Sequence, residues 1–124
     1  MTINEAINRL DNLKCNTYSR GDKLEWLSRL DGLLFRQVIS QHEGAEEKTF
    51  SGYTEDTDGD TKLLAEPPFD DLYLRWMEAQ IDYHNGEYDR YNAAILLFNT
   101  ALETYSNDYR MRHMPKSYGS RFRF

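Results

Sequence analysis

The stretch Tyr88-Asp-Arg-Tyr-Asn-Ala-Ala-Ile-Leu-Leu-Phe-Asn-Thr-Ala-Leu-Glu-Thr-Tyr-Ser-Asn-Asp-Tyr109 decides the fold class. Tyr88, Tyr91, Ile95, Phe98, Leu102, Tyr105 and Tyr109 advance by three and four residues in strict alternation, and side chains so spaced share one face of an α-helix. A repeat of this kind fits either a coiled-coil seam or the inward stripe of a helix bundle. Ala94, Leu97 and Ala101 widen the stripe, which favours the bundle. Upstream, Asn85-Gly86 is a stop signal, because Gly most easily takes the left-handed conformation that ends a helix. The helix it ends carries Phe69, Leu72, Trp76, Ala79 and Tyr83 at the same alternating spacing. Pro67 and Pro68 open that helix, and Asp70 and Asp71 are expected in its first turn, where negative charge meets the positive end of the helix dipole. The two helices should form an antiparallel hairpin.

The amino-terminal half supplies two more helices. Thr2 and Glu5 stand in the spacing of a capping box, followed by Ile3, Ala6, Ile7, Leu10 and Leu13 on one face. Ser19 with Asp22 marks a second start, ahead of Leu24, Leu27, Leu34 and Val38, widened by Trp26, Leu30, Leu33 and Ile39. This helix should run about twenty residues and end near Gly44. Gly32 inside it marks close packing or a bend. The expected fold is therefore all-α, a four-helix domain over residues 1–112 with a long acidic loop, 43–67, between the second and third helices. Residues 113–124 should form an extended basic-aromatic tail. The loop either contacts a neighbouring subunit or is solvated.

Charge divides the chain in the same place. The 124 residues have a net charge of −6, but residues 1–109 hold all 21 acids and ten bases while 110–124 hold five bases and no acid. Such asymmetry marks a segment that meets something anionic. In the closing Arg121-Phe122-Arg123-Phe124 the alternation puts two rings on one side and two guanidinium groups on the other of an extended chain. The partner-binding residues expected here are Arg110, Arg112, Lys116, Arg121, Phe122, Arg123 and Phe124, with the two Phe as anchors. Nine Tyr, six Phe and two Trp also suit a surface that is wet in one state and covered in another.

Several chemistries find no pattern. Cys15 stands alone, which excludes an internal disulfide framework and is read as a buried, inert thiol. Asp56-Thr-Asp-Gly-Asp60 has its Gly at position 4 rather than 6 of a calcium loop, so a polar turn is expected. His42, His84 and His113 fall at separate helix ends without the close pairing of metal ligands, and His84 is expected to serve its helix terminus. No glycine-rich phosphate loop or nucleophile elbow occurs. No catalytic, cofactor or metal site is expected. Met1 to Leu10 lacks the apolar run of a signal peptide, and no segment approaches a membrane span; synthesis in a cytoplasm, with no membrane partner, is the expectation.

Thr17-Tyr-Ser, Trp26-Leu27, Leu30-Asp31-Gly32, Pro68-Phe-Asp-Asp-Leu-Tyr, Gln80-Ile-Asp-Tyr, Asn85-Gly-Glu-Tyr-Asp-Arg-Tyr-Asn, Phe98-Asn and His113-Met-Pro follow one another along most of the chain. This succession resembles a family of small proteins encoded by tailed bacteriophages and prophages of Gram-positive bacteria, the head-to-tail connector (adaptor) proteins. The resemblance implies a non-enzymatic helical subunit of the virion neck, forming a homo-oligomeric ring beneath the portal protein and contacting downstream neck or tail proteins. DNA would be passing cargo, and the protein would be made in the bacterial host cytoplasm. Two other readings stand beside it: a small nucleic-acid-associated phage protein using the basic tail, and a helical-hairpin protein-interaction module. A small enzyme would need titratable groups gathered from distant positions into one pocket.

Overall fold

A computed structural model describes residues 1–39 and 50–112 of the chain. Among the described residues there are four helices and no strand: α1 (Ile3–Leu13), α2 (Arg20–Gln37), α3 (Leu72–His84) and α4 (Tyr88–Arg112). The architecture is all-α. The start of the expected acidic loop, 43–49, and the expected tail, 113–124, lie outside the described residues.

Thr2 caps α1 as its spacing requires, its hydroxyl accepting from Glu5 N while the Glu5 carboxylate accepts from Thr2 N. Two more free donors of the first turn are met by distant chain: Ile3 N donates to Thr61 O and Asn4 N to Gly59 O. Leu63 N donates to Met1 O, and Thr2 and Lys62 form an isolated antiparallel bridge. Ile3, Ala6, Ile7 and Leu10 are buried, whereas Leu13, the last of the expected apolar series, is exposed. Ser19 Oγ accepts from Asp22 N at the start of α2. This helix ends at Gln37, short of Gly44, because the β-branched pair Val38 and Ile39 turns out of the helix and both side chains enter the core.

The described part of the connection, 50–71, is laid over α1 and α2 rather than solvated throughout. Leu63 and Ala65 are buried, and Gly52 at φ +94° lets the backbone pass against Ser28, whose Oγ accepts from Tyr53 N. The acidic stretch is a polar turn, closed by Thr57 N to Thr54 O, Thr61 N to Asp58 O and Asp60 N to the Asp58 carboxylate. A Cβ added at Gly32 would sit in ordinary contact, 3.8 Å, with the Phe50 ring, so the position has room for a small side chain and close packing does not require the glycine.

Helix α3 begins at Leu72, two residues later than Asp70 would require, and Asp71 takes the cap position without a side-chain bond. It packs against α1, α2 and α4. Burial therefore wraps round it, taking in Leu72, Tyr73, Met77, Ala79 and Ile81, while Trp76 is half-buried and Tyr83 exposed. After Asn85, Gly86 at φ +77° reverses the chain. Three ring pairs then set the hairpin register: Phe69 with Tyr105 at 6.3 Å, Trp76 with Phe98 at 5.0 Å and Tyr83 with Tyr91 at 5.3 Å between centroids. Each advance of seven residues along the first strand of this ladder is matched by seven in reverse along α4.

Candidate interaction surface

Helix α4 takes its helix packing chiefly from α3. Phe98, Tyr105, Ser106 and Tyr109 are buried on that side, with Ile95, Ala101 and Leu102 partly covered. The opposite side faces outward along a rod of 25 residues, about 38 Å at the usual rise. From Tyr91 to Leu102 it carries no charged residue. Leu96 is 66% and Leu97 53% exposed. Leu97 was expected to widen the inward stripe; it lies outside because, among the described residues, no helix covers the far side of α4. Thr100 Oγ1 donates to Leu96 O at 3.1 Å and Thr104 Oγ1 to Thr100 O at 3.0 Å, so both hydroxyl protons are satisfied within the helix. A groove runs alongside, with Pro68, Phe69 and Arg75 on one wall and Leu97, Ala101 and Thr104 on the other.

The last turn of α4 presents Arg110 and Arg112, both exposed, on either side of Met111, which is 86% exposed. Arg112 Nε lies 2.7 Å from Asp108 Oδ2, and Arg110 Nη1 donates to Asn107 Oδ1 at 3.2 Å. Contacts of this kind on a surface are weak and leave a guanidinium free to exchange partners. Their position at the carboxyl end of a helix suits their charge. Lys116, Arg121, Phe122, Arg123 and Phe124 lie outside the described residues.

Among the described residues the interior holds a polar centre at Asp31 that the sequence did not announce. Asp31 is fully buried on α2. Its Oδ1 accepts from the Tyr73 hydroxyl at 2.6 Å, and its Oδ2 accepts from the Tyr53 hydroxyl and from Leu64 N at 3.2 Å. Ala65 N in turn donates to the Tyr73 oxygen at 2.7 Å. One carboxylate thus fastens the 50–65 segment to both α2 and α3. Burial raises the Asp31 carboxyl above its ordinary range against the pull of these donors. Burial also pushes both phenols well up, with the adjacent carboxylate adding to it, so they remain donors. The partners lie 22, 33 and 42 residues from Asp31, which is why no local pattern betrays the cluster.

Comparisons of the chain with protein-family models, with curated proteins and with solved structures find no match. Cys15, expected to be buried, is exposed in the connection after α1, where the chain leaves the helix at the extended Lys14 and packs nothing over the thiol. His84 closes α3 as expected and stacks on Trp26 at 5.7 Å. Among the described residues no group of His, Cys, Asp or Glu has the arrangement of a metal site, and no helix is long and apolar enough to cross a membrane. The outer face of α4 escaped sequence reading because Leu97 fits a widened core stripe. The signal that could have found it is the tandem Leu96-Leu97 within twelve uncharged residues, 91–102.

Proposed function

We propose that this chain is a structural virion protein, a head-to-tail connector (adaptor) subunit that joins copies of itself into a ring between portal and tail and carries out no catalysis. The observation that carries the reading is the uncharged stretch 91–102 of α4, with Leu96 and Leu97 open to solvent at its middle. Isolated exposed leucines are ordinary, but two adjacent ones within an uncharged stretch of helix beside a groove are a surface that a protein partner covers. The ordered motifs from Thr17 to Pro115 supply the kind of assembly, and contacts between unlike faces supply its closure, since heterologous interfaces build rings. Portal and downstream neck or tail proteins are the partners in this reading, and DNA passes through as cargo.

The experiment is assembly of the virion. A chain truncated after Met114, or one carrying Leu96→Lys with Leu97→Lys, keeps its far-ultraviolet helical signal and fails to enter the neck. Size-exclusion chromatography with light scattering, on the protein alone and mixed with the portal protein of the same phage, shows a larger species in the mixture. Tailed, infectious particles assembled with either altered chain overturn the reading.

A further inference from the structure

The end of the molecule where α3 turns into α4 carries a continuous band of rings. Tyr18 meets Trp26 edge-on at 5.4 Å, Trp26 stacks on His84 at 5.7 Å and 11°, and Tyr83 meets His84 at 5.5 Å and Tyr88 at 6.0 Å. Trp26 is buried in the core and Tyr18 packs against it, whereas His84 is exposed and Tyr83 and Tyr88 are 50% and 60% exposed, so the outer part of this band serves no core. Its placement is fixed from below. The Tyr18 hydroxyl donates to Asn85 Oδ1 at 2.6 Å, and Lys14 pairs with the buried Asp82. At one edge of the band a cleft of about 200 Å³ is lined by Tyr18, Asp22, Glu25, Trp26, Arg29 and His84. Arg29 is occupied by Glu25 at 2.7 Å, whereas the exposed Asp22 carboxylate has no cationic partner among the described residues. Rings beside an uncompensated carboxylate are the chemistry that holds a guanidinium group, through its flat face and its charge together.

We propose that this aromatic and acidic end receives the basic-aromatic segment 113–124 of a second copy of the chain. Charge complementarity argues for that occupant: the segment brings Lys116, Arg121 and Arg123 among Tyr118, Phe122 and Phe124, with no acid, to a body whose first 109 residues hold 21 acids against ten bases. Position argues for a second copy. Helix α4 starts in the ring band at Tyr88 and ends at Arg112, about 36 Å away, so the segment that follows Arg112 would have to run almost fully extended to reach the band of its own chain. Joining copies through segment and band is head to tail, and such contacts repeat until they close. The inference deepens the ring-subunit reading and rests on it for closure, while the docking itself is measurable on the isolated protein.

Cys15 makes the test direct, because it is exposed and borders the same end beside Tyr18 and Asn85. A nitroxide is attached to Cys15 of the unlabelled full-length protein, which is mixed at low ionic strength with full-length ¹⁵N-labelled Cys15→Ser protein. Amide resonances of residues 116–124 in the ¹⁵N copy are expected to broaden. The broadening is lost when the nitroxide copy carries Asp22→Lys, or when the ¹⁵N copy carries Arg121→Glu with Arg123→Glu, and it returns when those two variants are mixed. Absence of broadening in the mixed sample overturns the proposal, as does broadening only when nitroxide and ¹⁵N share one chain, or broadening indifferent to Asp22→Lys. Virions that need the segment while mixed copies show no broadening sink this docking and leave the neck reading intact. Normal virions without the segment, together with full broadening, do the reverse.

Discussion

Asp31 gathers three donors in the interior, and each of them loses its acceptor if the carboxylate goes. Asp31→Ala is expected to lower the unfolding free energy by about 3 kcal/mol in urea titration, since buried hydroxyl and amide donors would stand unpaired. Its pH dependence has a definite sign. A carboxyl raised by burial binds its proton more tightly in the folded chain than in the unfolded one. The stability it contributes is thus full below its ordinary value of 3.8 and is lost as pH climbs through the raised one. Glu5 and Asp11 are held below their ordinary values, by Thr2 and Lys23 respectively, and act in the opposite direction. The difference between wild type and Asp31→Asn isolates the buried group: the wild-type advantage shrinks as pH rises above 3.8, and an advantage that grows instead would mean the three donors outweigh burial. Gly52 and Gly86 offer a second comparison at this scale. Both have positive φ, but a Cβ on Gly52 would meet Ser28 Oγ at 2.9 Å while one on Gly86 meets nothing. Gly52→Ala should cost about 2–3 kcal/mol and Gly86→Ala about 1 kcal/mol in thermal or denaturant unfolding.

Among the elements, α4 is held by the ring ladder on one side and by solvent contact on the other. Phe98 is the buried member at the centre of that ladder, 5.0 Å from Trp76. Phe98→Ala is expected to cost about 3–5 kcal/mol, and hydrogen exchange should accelerate across 88–112 well before it does in α1 or α2. Equal acceleration in all four helices would show that α4 is not a separate cooperative unit. The same one-sidedness explains what the sequence made legible. A helix packed on a single neighbour writes one clean stripe, so Tyr91, Ile95, Phe98, Leu102, Tyr105 and Tyr109 are buried or partly buried as their spacing requires, while Tyr88, the first of the expected series, is exposed at the start of the helix. Helix α3 touches three neighbours and writes a blurred one, in which Tyr73 and Met77 are buried although neither belongs to the expected series. The capping box at Thr2 and the stop at Gly86 were readable because each is a local device of a few residues. The Asp31 centre and the ring band were not, because their members come together only when distant segments pack.

For the whole molecule, the imbalance between an acidic body and a basic end separates protein contact from nucleic-acid contact. Binding of random duplex DNA, followed by fluorescence anisotropy from low salt upward, is expected to be immeasurable, because the body repels a phosphate backbone. Association that weakens steeply with salt would instead favour the nucleic-acid reading. One further property of the molecule follows from the first turn of α1, whose donors are met by the carbonyls of Gly59 and Thr61. That helix leaves the ribosome ahead of the atoms that complete it, which emerge only after the whole of α2 has been made. Ile3, Ala6, Ile7 and Leu10 must therefore wait uncovered in the nascent polypeptide, and slowing translation between codons 14 and 63 would prolong the interval in which chaperones can hold them.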